Sequence, residues 1–166
     1  ATMVLMRKLG RCGIQVSAMG MGCWAIGGPF WNGDTPVGWG QVDDEESIQA
    51  IRRAFDLGIT FFDTADVYGA GHSERLLARA LGDKRRQVVI ATKFGNLFDE
   101  EKKQMKGTSA DPAYIRQACE ASLRRLNTDH IDLYQFHDNG YPAEKAAAVR
   151  DTLEALVQQG KIRAYG

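Results

Sequence analysis

The chain alternates. Short, nearly continuous apolar runs, "ITFFDT", "QVVIATK", "IDLYQFH" and "IRAYG", are separated by stretches in which apolar residues recur at helical spacing. Asp43 with Glu46 three residues on forms a capping-box pattern ahead of Ile48, Ile51 and Phe55, and Gly58 closes that helix. "HSERLLARALG" reads as a second helix, with Ser73 as its N-cap and Gly82 as its stop. Asp111-Pro112 opens a third, whose buried face is Ile115, Cys119, Leu123 and Leu126. Pro142 starts a fourth, carrying Val149, Leu153, Leu156 and Val157 to Gly160. Runs apolar on both faces, each followed by an amphipathic helix, predict a parallel sheet covered by helices. Two architectures satisfy this order: an open doubly wound sheet, or part of a (β/α)8 barrel.

Ahead of the alternation, "LGRCG" places a turn between "MVLMRK" and "IQVS" and predicts an N-terminal β-hairpin, with a further strand at "VSAMGM". The following segment, "CWAIGGPFWNGDTPVGWGQ", has neither period and is expected to be a long loop of functional use.

Bulk chemistry narrows the function classes. Lys plus Arg and Asp plus Glu both total 21, so no basic footprint for nucleic acid or an anionic membrane is expected. Cys12, Cys23 and Cys119 have no CxxC spacing, which argues against a disulfide framework or zinc ribbon and for reduced thiols in the cytoplasm. Residues 12–33 carry no formal charge, but six glycines, Pro29 and Asn32 interrupt them, so no membrane span is expected. No secretory signal is apparent at the N-terminus.

The strand ends carry the chemistry. Loops at the carboxyl ends of parallel strands are where such folds place their sites. Here one strand ends in Asp63, with Tyr68 in the loop behind it; the next ends in Lys93 and a third in His137. A lysine after largely buried positions needs a counter-ion, and Asp63 is its natural partner. An ammonium beside a tyrosine favours the phenolate, which makes the phenol a better proton donor to a developing alkoxide. An imidazole can hydrogen-bond the same oxygen and orient a carbonyl. Together the four read as carbonyl reduction.

At these positions the chain resembles the aldo-keto reductase family: "FFDTADVYGAGHSE" around the Asp and Tyr, "VVIATKFG" around the Lys, and "DLYQFH" before the His. The likeness runs from "RKLGRCGIQVSAMGMGCW" through "QGKIRAYG". It implies a (β/α)8 TIM barrel, NADPH as hydride donor without a metal, and an aldehyde or ketone substrate. The implied roles are Tyr68 as general acid, Lys93 and Asp63 as its tuning pair, and His137 as carbonyl orienter. Gly22, Cys23 and Trp24, with Asp63, would lie beside the cofactor. A complete barrel takes about 250 residues, whereas residues 1–166 hold the hairpin, four β/α units and the start of strand five. The expectation is therefore the N-terminal half of a single barrel domain, a fragment or a chain that pairs with a second copy or a complementary half. In the family, most of the nucleotide grip comes from strands five to eight.

Two other readings stand beside this one, with several residues assigned to structure. "GMGCWA" fits a dinucleotide fingerprint, with Asp43 and Asp44 near the place of its ribose acid, but "AIGGPFWNG" offers no helix to open on those glycines. A regulatory subunit of the same fold would bind nucleotide with little turnover. His72 and His130 read as structural, and "GDKRRQ" and "DEEKKQMK" as solvated turns. Trp24, Phe30, Trp31, Asn96 and Phe98 are candidate pocket walls or packing residues.

Overall fold

The computed structural model describes residues 4–166. In chain order its strands and helices are β1 Met6–Leu9, β2 Ile14–Ser17, β3 Met21–Gly22, β4 Trp31–Asn32, β5 Thr35–Pro36, α1 Asp44–Asp56, β6 Phe61–Asp63, α2 His72–Leu81, β7 Val89–Phe94, β8 Asn96–Asp99, β9 Gln104–Thr108, α3 Pro112–Arg125, β10 Ile131–Phe136, α4 Ala146–Gln158 and β11 Ile162–Tyr165. Five strands form one parallel sheet in the order β3-β6-β7-β10-β11, so each chain-neighbouring βαβ unit places its strands side by side. This is the strand succession of a (β/α)8 barrel carried through its first five strands.

Alternation across the pleat gives the sheet two different faces. On the helix side, Phe62, Ile90, Phe94 and Tyr134 pack with Ile51, Leu76, Leu77, Ile115, Leu153 and Leu156 from all four helices. Each fully buried aliphatic side chain there contributes roughly 1.5–3 kcal/mol. On the other face, Ile14 and Val16 of the β1–β2 hairpin pack with Val89, Ala164, Phe61 and Leu133. Phe61 and Val89 begin their strands, so the hairpin plugs the amino end of the sheet and leaves the carboxyl end free.

The expected helix starts hold at two places. The Asp43 carboxylate accepts from Glu46 N–H at 3.0 Å, and Asp111 caps α3 with Pro112 in its first turn. The Ser73 cap is corrected. Gly71, at φ +93°, is the residue before α2, and Ser73 lies inside the helix. Its hydroxyl instead donates to Cys23 C=O at 2.7 Å and pairs with Thr64 Oγ1 at 2.8 Å, tying α2 to two strand ends. Pro142 is followed by a 3-10 turn over Ala143–Lys145, and α4 starts only at Ala146. Of "VSAMGM", Val16 and Ser17 end β2 and only Met21–Gly22 forms the next strand.

The two segments expected to be irregular also fold. A second sheet in the order β5-β4-β9-β8 joins the glycine-rich loop to the charged loop after β7. Trp31 N–H donates to Lys103 C=O at 2.8 Å across that junction. Strands of two residues, such as β4 and β5, carry no readable alternation, and β9, which joins β4 to the rest of the sheet, lies some seventy residues away. "GDKRRQ" is a 3-10 turn rather than a purely solvated one, because the Arg85 side chain is only 12% exposed and binds Asp132.

Candidate active site

Register explains why the four polar residues meet. Gly22 pairs with Asp63, Asp63 with Ala91, and Lys93 with Gln135, so β3, β6, β7 and β10 end at a common rim. His137 follows β10 directly, held by its N–H to Phe94 C=O at 2.8 Å.

Lys93 Nζ donates to Asp63 Oδ1 at 2.9 Å and to Thr64 C=O at 2.7 Å. The lysine side chain is 14% exposed and the aspartate 43%, so the ammonium is largely desolvated while its counter-ion faces the open rim. The same Nζ lies 5.2 Å from the Tyr68 ring centroid. His137 meets the Tyr68 ring edge-on, with centroids 6.0 Å apart. All four expected residues thus converge.

The imidazole is kept neutral. Burial first, then the Lys93 charge, depress His137 below the ordinary histidine value of 6.5, against a smaller opposing pull from Asp63. Its Nδ1 faces Asn96 Nδ2 at 3.4 Å. An amide nitrogen can only donate, so Nδ1 accepts and the ring proton belongs on Nε2, free for a substrate oxygen.

Tyr68 is set by its backbone. A Cβ on Gly27 would come within 2.8 Å of the Tyr68 carbonyl carbon, and one on Gly69 within 1.9 Å of the Gly27 oxygen. Only glycines allow the two loops to cross there. Ser73 N–H donates to Tyr68 C=O at 3.2 Å, and Lys103 Nζ to Gly69 C=O at 2.8 Å.

The remaining candidates separate. Trp24 lies nearly parallel to Tyr68 with centroids 6.1 Å apart, meets Trp39 edge-on at 5.4 Å, and is fixed by its indole N–H to Val37 C=O at 3.1 Å. Gly22 is exposed, with open space where a Cβ would stand. Cys23 is fully buried; its N–H donates to Asp63 C=O at 2.8 Å, its carbonyl receives Ser73, and burial pushes its thiol up to about 12. It shapes the strand end, whereas Gly22 and Trp24 present surface. Phe30 packs under the rim with Ala65 and Val67, against Tyr68 and Phe98, and Trp31 belongs to the small sheet. His72 binds Asp44 at 2.9 Å and His130 binds Asp129 at 2.7 Å. The dinucleotide fingerprint is overturned: Ala25–Gly27 make one 3-10 turn, and no helix opens on those glycines. Among the described residues no helix is long and apolar enough to cross a membrane.

Comparison with known proteins agrees with this geometry. The sequence profile of the Aldo/keto reductase family matches residues 18–166. The chain belongs to the aldo-keto reductase family. It is 43% identical over 158 residues to aldo-keto reductase YhdN of Bacillus subtilis (strain 168), covering 93% of this chain and 44% of that protein. The holo form of aldo-keto reductase AKR11C1 from Bacillus halodurans superimposes with a TM-score of 0.84 at 34% identity, over 99% of this chain and 50% of that one. An aldo-keto reductase from Klebsiella pneumoniae, solved in complex with NADPH, superimposes with a TM-score of 0.68 at 29% identity, over 93% and 46% of the two chains. The chain therefore spans about half the length of the reductases it matches.

Proposed function

We propose that this chain carries the proton-transfer machinery of an NADPH-dependent reductase of aldehydes or ketones, running in reverse as an alcohol dehydrogenase. The observation that carries the reading is the Lys93–Asp63 pair at 2.9 Å set against the Tyr68 ring, with His137 on the ring's edge. The rim suits a nucleotide: Gly22 leaves open space beside the 43% exposed Asp63 side chain, and Trp24 offers an exposed aromatic surface next to Tyr68. Bound NADPH would supply the hydride to the carbonyl carbon.

The protein's own residues handle charge. Tyr68 gives its phenolic proton to the oxygen as negative charge develops there. The Lys93 ammonium stabilises the phenolate left behind, and Asp63 keeps that ammonium charged despite its burial. Neutral His137, with its proton on Nε2, orients the carbonyl without competing as an acid.

Tyr68→Phe in the purified enzyme tests the assignment. Carbonyl-dependent NADPH oxidation is expected to fall by about 10²–10⁴-fold, while the nucleotide Kd from fluorescence titration stays put. Undiminished turnover removes Tyr68 as the acid. A wild-type protein that binds NADPH but oxidises it with no member of an aldehyde and ketone panel is instead a nucleotide-binding regulatory subunit.

A further inference from the structure

Beneath the Tyr68 loop lies a buried polar cluster that carbonyl reduction, as described above, leaves unused. Asp66, two residues before Tyr68, is 2% exposed, and its Oδ1 has no hydrogen-bond partner among the described residues. Glu74 in α2 is fully buried with both oxygens committed, Oε1 to Arg125 Nε at 2.7 Å and Oε2 to Thr92 Oγ1 at 2.8 Å. Arg125 turns its Nη1 to Glu100 at 2.7 Å. The Tyr134 hydroxyl on β10 is likewise buried, with no hydrogen-bond partner among the described residues. From α3, the Tyr114 hydroxyl receives Gly95 N–H at 2.9 Å.

Charge counting constrains Asp66. One guanidinium already serves two carboxylates, and the Lys93 ammonium is turned to Asp63 and Thr64. An ionised Asp66 would be a second buried anion beside Glu74, with no cation of its own, which a protein interior disfavours strongly. The groups whose charge bears on it agree: burial and Glu74 push its carboxyl well above the usual range, opposed more weakly by Arg125 and by loop N–H groups. The Tyr134 phenol is raised too, by burial and then by Asp66, Cys119, Glu74 and Tyr114.

We propose that Asp66 is held as a neutral carboxylic acid and acts as a positioning residue for Tyr68, a role that rests on the reductase reading above. With its proton, the carboxyl can both donate and accept in a core where the Tyr134 phenol can do the same; as a carboxylate it can only accept. The Asp66 N–H donates to Lys93 C=O at 3.3 Å, and Thr92, anchored to Glu74, is the residue before Lys93. The cluster thus holds the chain beside both the proton donor and the ammonium that supports it. A charge on Asp66 would drive this segment toward water, and a shift of about 1 Å in a reacting group costs about 10²-fold in rate.

Infrared difference spectroscopy of the purified enzyme reads the proton directly. A carboxylic-acid C=O band is expected at pH 7 in the wild type and lost in Asp66→Asn. Asp66→Asn, neutral and of the same shape, keeps the wild-type kcat, whereas Asp66→Ala loses about 10²-fold with the NADPH Kd unchanged. The proposal is overturned if the band is missing at pH 7, if Asp66→Asn loses as much as Asp66→Ala, or if Asp66→Ala keeps full kcat. Should Asp66→Ala fail to fold, the band and the Asp66→Asn rate still decide. Tyr68→Phe run in parallel reports separately on the reductase reading, because the infrared band of Asp66 does not depend on turnover.

Discussion

The two ends of the parallel sheet use the same ionic chemistry to opposite effect. At the carboxyl end, Asp63 takes one hydrogen bond from Lys93 and leaves 43% of its side chain in the open. At the amino end, Asp132 is 1% exposed and receives Arg163 Nη1 at 2.9 Å, Ile90 N–H at 2.8 Å and the Arg85 guanidinium at 2.9 Å. Arg85 is itself saturated by the carbonyls of Val88 and His130 and by Thr128. A cavity of about 850 Å³ opens beside it, lined by Arg124, His130 and Lys161 among others, and there His130 is paired with Asp129 and Lys161 with Glu120. Cavity size is therefore a poor guide here. What distinguishes the candidate site is unfilled hydrogen-bonding capacity beside a desolvated cation.

The sharpest way to break this contrast is to remove one partner of the ion pair at each end. Lys93→Met is expected to lower kcat by about 10²-fold or more in single-turnover reduction, with the fold intact by circular dichroism. Asp132→Ala should do the reverse, destabilising the protein by about 3–5 kcal/mol because the largely buried Arg85 guanidinium and the buried Ile90 N–H lose their acceptor, while activity per folded molecule is retained; chemical denaturation measures it. Gly69→Ala lies between the two. It forces φ +62° on a residue with a Cβ and drives that atom onto the Gly27 oxygen, costing about 1–3 kcal/mol and lowering kcat through the displaced Tyr68, as melting and turnover together would show.

A smaller effect comes from pH. The folded His137 titrates below the ordinary 6.5, so the unfolded chain binds a proton more readily in the window between the depressed value and 6.5. Stability is then unchanged by this group above pH 6.5 and lost as pH falls through that window. Histidine NMR titration should show the depressed value in the wild type and a shift upward in Lys93→Met. The least effect belongs to the exposed Arg79–Glu45 pair, whose side chains are 57% and 72% exposed; Arg79→Ala should change stability by no more than about 1 kcal/mol in the same denaturation assay.

The repeated strand-then-helix order was legible because helical spacing and apolar runs are local signals, as in Ile48, Ile51 and Phe55 of α1. Asp63, Lys93 and His137 were legible for a related reason: a polar side chain closing an apolar run can point only toward the loops. The small sheet was not. Trp31 and Gln104 are each ordinary in their own neighbourhoods and become a strand pair only once the barrel rim brings them together. Ser73 misled because a serine at the head of a helix pattern satisfies the rule for caps, while its hydroxyl had better partners in Cys23 and Thr64.

Local patterning determined the order of elements and which residue types stand at the strand ends. Only the folded chain decided that Asp63 would be paired and open, Asp132 paired and sealed, and Asp66 sealed without a cation. The three are the same side chain, and what separates them comes largely from residues 30 or more positions away, such as Lys93 for the first, Ile90 and Arg163 for the second and Arg125 for the third. Burial and counter-charge, which set what a carboxyl can do, are properties of that assembled neighbourhood.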